Sequence, residues 1–316
     1  MARARGANAL MAAKFETTYG TPPAGNYMQM PFVSSALGEE RGLIESDLLG
    51  QGRESYDPTP DVANNDGDVV VPVDLRRFGQ WLKLFFGPAT TVAGGSGAAN
   101  VHTFVSGAAA LPSLSVEVGL PQVPSFGMNY GVTGNIMRIA MSRGGLLNAT
   151  LGLIAQGETL SSTTSAGTPS AVTIERFAQA TGTVKQGATT LADIVSADFT
   201  FSNSIDKVEV IRGDGRIGGA DAGMAMASGT IVCRFGDTTL LDIATGGTPV
   251  DLNFGWTKAG TPNSSLLFDL PRVFLPRSKR PITGPAGVQA SFNFQASGQG
   301  GHVCTVTLSN DVTGYA

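Results

Sequence analysis

Histidine and cysteine are almost missing from this chain, with two of each in 316 residues. Any Ser-His-Asp triad or His-based metal site would have to use His102 or His302, and neither has a suggestive context. His102 leads into a strand-like stretch and His302 follows the glycine-rich 298–301, positions that suit loop or strand-end residues. Cys233 and Cys304 each fit a strand pattern, and two cysteines in so Cys-poor a chain more often stay reduced and buried than bridge. Charge is sparse too: charged residues make up 15% of the chain, the net charge is −4 and the pI is near 5.2. A surface built to hold nucleic-acid phosphates needs a clustered excess of Lys and Arg, so it is excluded, whereas transient passage of DNA is not. No apolar run approaches the roughly 20 residues of a membrane span. The opening MARARGANALMAAKF carries Arg3 and Arg5, but Asn8 and Lys14 leave no apolar core for a signal peptide. A cytoplasm-like site of synthesis and assembly is therefore expected.

Motifs that carry chemistry are missing as well. The stretch NNDGD (64–68) does not make a calcium loop: with Gly67 at the sixth position, Val62 and Val73 fall at the first and twelfth, where carboxylates are required. The glycine-rich 94–97 lacks the Lys of a phosphate loop and the spacing of a nucleophile elbow. Arg212-Gly213-Asp214 is an adhesion-type tripeptide, but its glycine belongs to a GxGR turn that the chain uses twice, so turn geometry explains it. The acidic pairs Glu39/Glu40 and Glu45/Asp47 lie in polar segments where solvated carboxylates are ordinary. No catalytic, cofactor-binding or metal-binding residue stands out, and an enzyme is not expected.

What the chain does have is 42 glycines and 42% hydrophobic residues at a mean hydropathy of +0.09, enough for a large core built from short strands and many turns. The best-punctuated stretch is 68–87, DVVVPVDLRRFGQWLKLFFG. Val69, Val71 and Val73 alternate onto one strand face, with Pro72 near the end where a missing N–H does least harm. Asp74 is placed as a helix N-cap. Leu75, Phe78, Trp81, Leu82, Phe85 and Phe86 then recur at helical spacing, opposite Arg76, Gln80 and Lys83, until Gly87-Pro88 stops the helix. So aromatic a face needs a broad apolar surface, and the rest of the chain offers strands. The helix is expected to pack on a sheet with Leu75, Phe78, Trp81, Leu82 and Phe85 as its core residues.

In chain order, 15–33 reads as a lead-in, 55–67 as a long solvent-facing loop and 89–99 as a mobile segment. Strands are expected at 101–105 and 114–118, the latter with Ser115 and Glu117 on its polar face, followed by a hairpin over 137–141 and 147–153. A hairpin-like run covers 174–184. Further strands fall near 199–201, 208–210, 231–235, 252–256, 266–275, 288–296 and 303–308. Between the two groups, SSTTSAGTPS (161–170) has low complexity and no aromatic residue and reads as a linker, dividing the chain into 1–160 and 161–316.

The halves carry the same features in the same order. GQGR (50–53) matches GDGR (213–216), 69–73 matches 231–235, and the helix ending at Gly87 matches a shorter one at 237–245. Then 114–119 matches 250–255, 138–141 matches 272–275, and 147–157 matches 288–298. Six matches in register along two halves of similar length indicate an internal duplication.

Three segments, GLIESDLLGQGRE (42–54), DPTPDVANNDGDVVVPVDLRRFGQWLKLFFG (57–87) and LPSLSVEVG (111–119), together resemble the tail tube proteins of long-tailed, non-contractile (siphovirus-like) phages and prophages. The likeness is densest over 40–120. It implies a mainly β fold of tandem β-sandwich or half-barrel domains, each with one flanking α-helix, in a structural virion protein that needs no cofactor. Copies of such a protein join sheets into rings, and the rings stack into the tail tube, the conduit for DNA ejection. A ring of six tube domains needs three chains when each carries two, so trimeric rings with pseudo-sixfold symmetry are expected. The implied partners are further copies of the chain, a tape-measure protein, tail-terminator and distal tail proteins, and passing DNA in transient contact. Assembly is expected in the bacterial host cytoplasm, without membrane insertion by this chain. The polar strand faces bearing Glu117 and Asp251 are the candidate lumen positions. Two other readings stay open: a virion-surface or extracellular β-sandwich binding protein, and a β-rich hydrolase such as a phage depolymerase.

Overall fold

The computed structural model describes residues 3–50, 52–95, 97–260, 262–282, 284–285 and 287–315. Gln51 of the first GxGR turn and Ser96 of the 94–97 stretch lie outside the described residues. Strands hold 48% of the residues and helices 7%, so the protein is mainly β, built from large antiparallel sheets with no closed barrel among the described residues. The first half contains β1 (Leu10–Phe15), β2 (Met28–Gln29), β3 (Ser34–Ser35), β4 (Gly38–Ile44), β5 (Thr59–Pro72), β6 (Thr90–Val92), β7 (Asn100–Val105), β8 (Leu114–Leu120), β9 (Ser125–Ser142), β10 (Asn148–Ala155) and β11 (Gly157–Ser161). Helix α1 (Phe78–Phe86) lies between β5 and β6. The second half contains β12 (Thr183–Gln186), β13 (Thr189–Thr190), β14 (Ile194–Ser202), β15 (Asp206–Val208), β16 (Gly219–Asp221), β17 (Met226–Arg234), β18 (Val250–Lys258), β19 (Ser264–Phe274), β20 (Gln289–Ala296) and β21 (Thr305–Asn310), with α2 (Thr239–Gly246) between β17 and β18.

The order of strand pairing occurs twice. In the first half β1 pairs with β8, β8 with β9, β9 with both β10 and β11, and β10 with β5. In the second, β12 pairs with β18, β18 with β19, β19 with both β20 and β21, and β20 with β17. The registers agree as well: Val69 and Val71 face Leu151 and Ala149, as Ile231 and Cys233 face Phe292 and Ala290. Both β8 and β18 slip register at the same point, between Leu114 and Val116 and between Val250 and Leu252. Three of the sequence matches therefore occupy equivalent positions. The match of 138–141 to 272–275 does not: Val132 opposes Leu114 where Val273 opposes Val250, so 272–275 corresponds to 131–134. Four-residue apolar alternation is too common in strands to fix a register by itself.

Strand β9 turns the corner between two sheets. Its first part pairs with β8 and β11, and its later part, from Thr133 onward, with β10. Gly131 sits at the corner with φ +64°, and a Cβ there would meet Gln156 Cβ at 2.9 Å, so both conformation and space call for glycine. Among the described residues two ladders join the halves, besides single bridges: 136–142 of β9 with 196–202 of β14, and β7 with β21. One apolar core runs through both halves.

Several local expectations change. The loop expected over 55–67 is strand from Thr59 onward, because β4 pairs with it from Thr59 and β10 from Asn65, with Asn64 and Asp66 exposed and Asn65 buried. The 89–99 segment, expected to be mobile, contributes β6 against β7. The 174–184 run is not a hairpin: Arg176 and Ala178 make single bridges to Asp74 and Leu146, and only β12 forms a ladder. Helix α1 starts at Phe78 instead of next to Asp74, since Asp74 is bridged to Arg176 and the Leu75 N–H is committed to Glu175 O at 2.8 Å. The Asp74 carboxylate caps the preceding turn, accepting from the Arg76 and Arg77 N–H groups at 2.8 and 2.6 Å.

Candidate functional site

Helix α1 is buried almost all round. Leu75, Phe78, Trp81, Leu82 and Phe85 all lie in the core, joined by Leu84 and Phe86, while Gln80 and Lys83 are half-buried. The helix reaches both halves: Phe86 stacks on Phe201 of β14 at 4.4 Å between centroids, and Asn203 Nδ2 donates to Phe85 O at 3.0 Å. Its other side is locked by Tyr315. The Tyr315 hydroxyl donates to Arg76 O (2.6 Å) and accepts from Asn310 Nδ2 (2.8 Å), and its ring stands edge-on to His102 at 4.7 Å. Asn310 also donates to Leu75 O, so its Oδ1 accepts from His102 Nε2 at 3.0 Å, and His102 Nδ1 takes the Thr91 hydroxyl at 2.9 Å. The imidazole is thus neutral and fully buried, and burial lowers its pKa. Its role is to hold strands together. Local sequence offers no signal for this network, because Leu75 and His102 are distant along the chain from each other and from Asn310 and Tyr315.

The two lumen candidates lie on equivalent strands. Glu117 of β8 is buried and accepts from the Thr164 hydroxyl and from the Ser165 N–H at 2.6 Å. The 161–170 segment thus lies docked across it: the Tyr27 N–H donates to Ala166 O at 3.0 Å, the Ser170 N–H donates to Tyr27 O at 2.9 Å, and Ala166 is buried beside Tyr27. Asp251 of β18 is half-buried and accepts from Asn253 Nδ2 at 2.6 Å. Burial and the neighbouring Asp251 carboxylate push the pKa of Asp269, on β19, up to about 6. Ser115 of β8 corresponds to Asp251 and Glu117 to Asn253, by the common register slip, so these residues share one polar strand face.

The β4–β5 hairpin is an arm with an apolar tip. Leu43, Ile44, Leu48, Leu49 and Val62 are exposed there, Leu49 to 92%. Its base is braced by the second half: Arg216 donates to Glu39 Oε2 (2.6 Å), Tyr130 Oη (2.7 Å) and Glu158 O (2.8 Å), and the Ala63 N–H donates to Gly215 O. Burial acts to raise the Glu39 pKa, but the Arg216 guanidinium and the Glu158 N–H outweigh it and hold the carboxyl below its ordinary value. Arg212 and Asp214 of the adhesion-type tripeptide pair with each other through two 3.0 Å contacts, and the Arg212 guanidinium draws the exposed Asp214 pKa down to about 2.

Among the described residues no cluster of three or more His, Cys, Asp or Glu is placed to hold a metal ion, and Cys233 and Cys304 are free and buried. No helix among them is long and apolar enough to cross a membrane. The family model for phage tail tube proteins matches residues 6–296, nearly the whole chain. The chain belongs to that family. No curated protein matches it. As a tail tube protein it is a structural component of the virion tail and assembles with other subunits into a multi-subunit tube.

Proposed function

We propose that this tail tube protein polymerises as stacked rings into the tail tube, the conduit for DNA ejection. Each chain supplies two tube domains, 1–160 and 161–316, so three chains close a ring with pseudo-sixfold symmetry. The observation that carries this reading is the repeated strand order, with its two copies already joined edge to edge through β9 and β14. A heterologous contact of that kind, repeated around an axis, closes a ring, and a different contact between rings propagates the tube. The exposed tip of the β4–β5 arm suits that second contact.

The polar faces of β8 and β18 line the lumen in this reading, with Asp251 and Asp269 contributing acidic charge and Glu117 lying beneath the 161–170 segment. Duplex DNA carries about one negative charge per 1.7 Å, so an acidic wall lets it slide where a basic wall would hold it. The tape-measure protein occupies the lumen before DNA does, the tail-terminator and distal tail proteins cap the two ends, and assembly takes place in the host cytoplasm. Electron microscopy of the purified chain, concentrated at neutral pH, should show hollow tubes or rings. A chain that stays monomeric at every concentration, or tubes that bind DNA tightly and salt-sensitively, would contradict the proposal.

A further inference from the structure

One joint between the halves is the β9–β14 ladder. In the β9–β14 ladder Ser202 faces Ile136, Thr200 faces Arg138 and Phe199 faces Ile139. Strand β14 is the counterpart of β3 and β4: Ser34 and Ser35 face Val70 and Val69 of β5, as Ser196 and Ala197 face Val232 and Ile231 of β17. Gly38 and Asp66 correspond in the same way to Thr200 and Ser228. The counterpart of the later part of β9 is the segment after Phe274. Thr133 faces Ile154 in the first half and Phe274 faces Gln295 in the second; with the bulge that β9 makes opposite Gly152 and Leu153 kept in the second half, Arg138 corresponds to Lys279 and Thr150 to Ser291. The Ser278 hydroxyl donates to Ser291 O, which places this segment beside β20 as β9 lies beside β10.

Both counterparts are unpaired where their homologues are joined. Among the described residues, β3 and β4 form ladders only with β5, and 276–282 forms none. The Leu37 and Glu39 N–H groups are held by side chains, Ser35 Oγ and the Glu158 carboxylate, partners that an incoming strand carbonyl can replace.

We propose that 276–282 of one chain pairs antiparallel with β3–β4 of a second copy in the register of the β9–β14 joint, which sets Glu40 opposite Arg277, Glu39 opposite Ser278, Gly38 opposite Lys279 and Leu37 opposite Arg280. This rests on the ring reading above and names its contact. Charge agrees with it: Arg277, Lys279 and Arg280 are exposed on one edge, and Glu40 and Glu45 on the other, with Glu39 beside them. Cross-strand opposite charges favour pairing, while basic residues and prolines keep the free edge from pairing indiscriminately. Pro281 falls opposite Ala36, whose own N–H already bonds Asp68 O, so the missing proline donor faces away from the new ladder.

Paired cysteines test the register. Opposed residues in a non-hydrogen-bonded antiparallel pair lie about 4.5 Å apart at Cα, within disulfide range. After oxidation of assembled material, full-length Glu40→Cys/Arg277→Cys should run on a non-reducing gel as covalent oligomers up to trimer, and each single variant as monomer. Glu40→Cys/Arg280→Cys, out of register, should also stay monomeric. Tubes that assemble with no cross-link, or with an equal cross-link out of register, would overturn the register and leave the ring reading intact; wild-type chain that never assembles would overturn both. If the cysteine pair blocks assembly, charge exchange decides. Glu40→Lys and Arg277→Glu should each lower the assembled fraction and the double variant should recover it, whereas a double variant no better than the worse single would reject the contact.

Discussion

Adding one methyl group at Gly79 should destabilise the fold, although glycine to alanine in a helix ordinarily stabilises by up to about 1 kcal/mol. The reason is Tyr315. A Cβ on Gly79 would stand 2.2 Å from Tyr315 Cζ and 2.4 Å from Cε1, and the ring has no retreat, being 2% exposed and fastened to Arg76 O, Asn310 and the His102 edge. The ring must leave its site. Losing a buried aromatic side chain costs about 3 kcal/mol, and stranding the Arg76 carbonyl adds about 1, against roughly 1 regained from helix propensity. Gly79→Ala should therefore lower stability by about 3 kcal/mol. In a Tyr315→Ala background only the propensity gain remains, so the same substitution should be neutral to about 1 kcal/mol stabilising. Chemical denaturation of the four proteins of this cycle, monitored by Trp fluorescence and circular dichroism, measures a coupling of about 3–4 kcal/mol, far above the few tenths by which independent sites deviate from additivity. An equal effect of Gly79→Ala in both backgrounds would refute the reasoning.

Trp81→Ala should cost about 3–5 kcal/mol and deplete soluble protein, while Trp81→Phe costs much less because the buried indole N–H has no hydrogen-bond partner among the described residues; melting curves of the two compare them directly. Asp269 has a folded pKa raised to about 6 from its ordinary value of 3.8, so the folded chain holds a proton the unfolded chain releases, and stability should fall as pH rises between those values. Asp269→Asn should remove that slope and, after discounting for partial exposure, add roughly 1 kcal/mol at pH 7, read by denaturation at pH 4 to 8. His102, neutral and buried, acts in the opposite sense, its contribution being lost as pH falls below the ordinary histidine range. The tip of the β4–β5 arm, with Leu48 and Leu49 exposed, should be cut by protease in the free subunit and spared in tubes; equal cutting in both would remove it from the ring-to-ring contact.

Strands with one buried face were legible because alternation of large apolar residues has no other explanation, as at Val69–Val71, Leu151–Leu153 and Phe199–Phe201. The arm was not, since Asn64, Asn65 and Asp66 read as a turn. All three pair with β4, Asn65 and Asp66 also with β10, and buried Asn65 is accommodated by Asn129 Oδ1 at 2.8 Å, a partner far along the chain. Strand β1 was missed for a related reason: its six residues are aligned by β8, not by local propensity. The 161–170 segment shows the limit of composition. Its Ser and Thr residues suggested flexibility, yet their hydroxyls and N–H groups are what bind Glu117. The repeated order of strands was legible but not every register, and the edges proposed for contacts between chains stood out only when the repeated pairing showed which strand edges were left over.

The central claim is that each chain fills two equivalent positions in a ring. Cryo-electron microscopy of assembled tubes, with no symmetry imposed on the cross-sections, counts chains and wall segments directly. The account predicts three chains and six similar wall segments per ring; six whole chains per ring, or three chains whose second halves lie outside the wall, would contradict it.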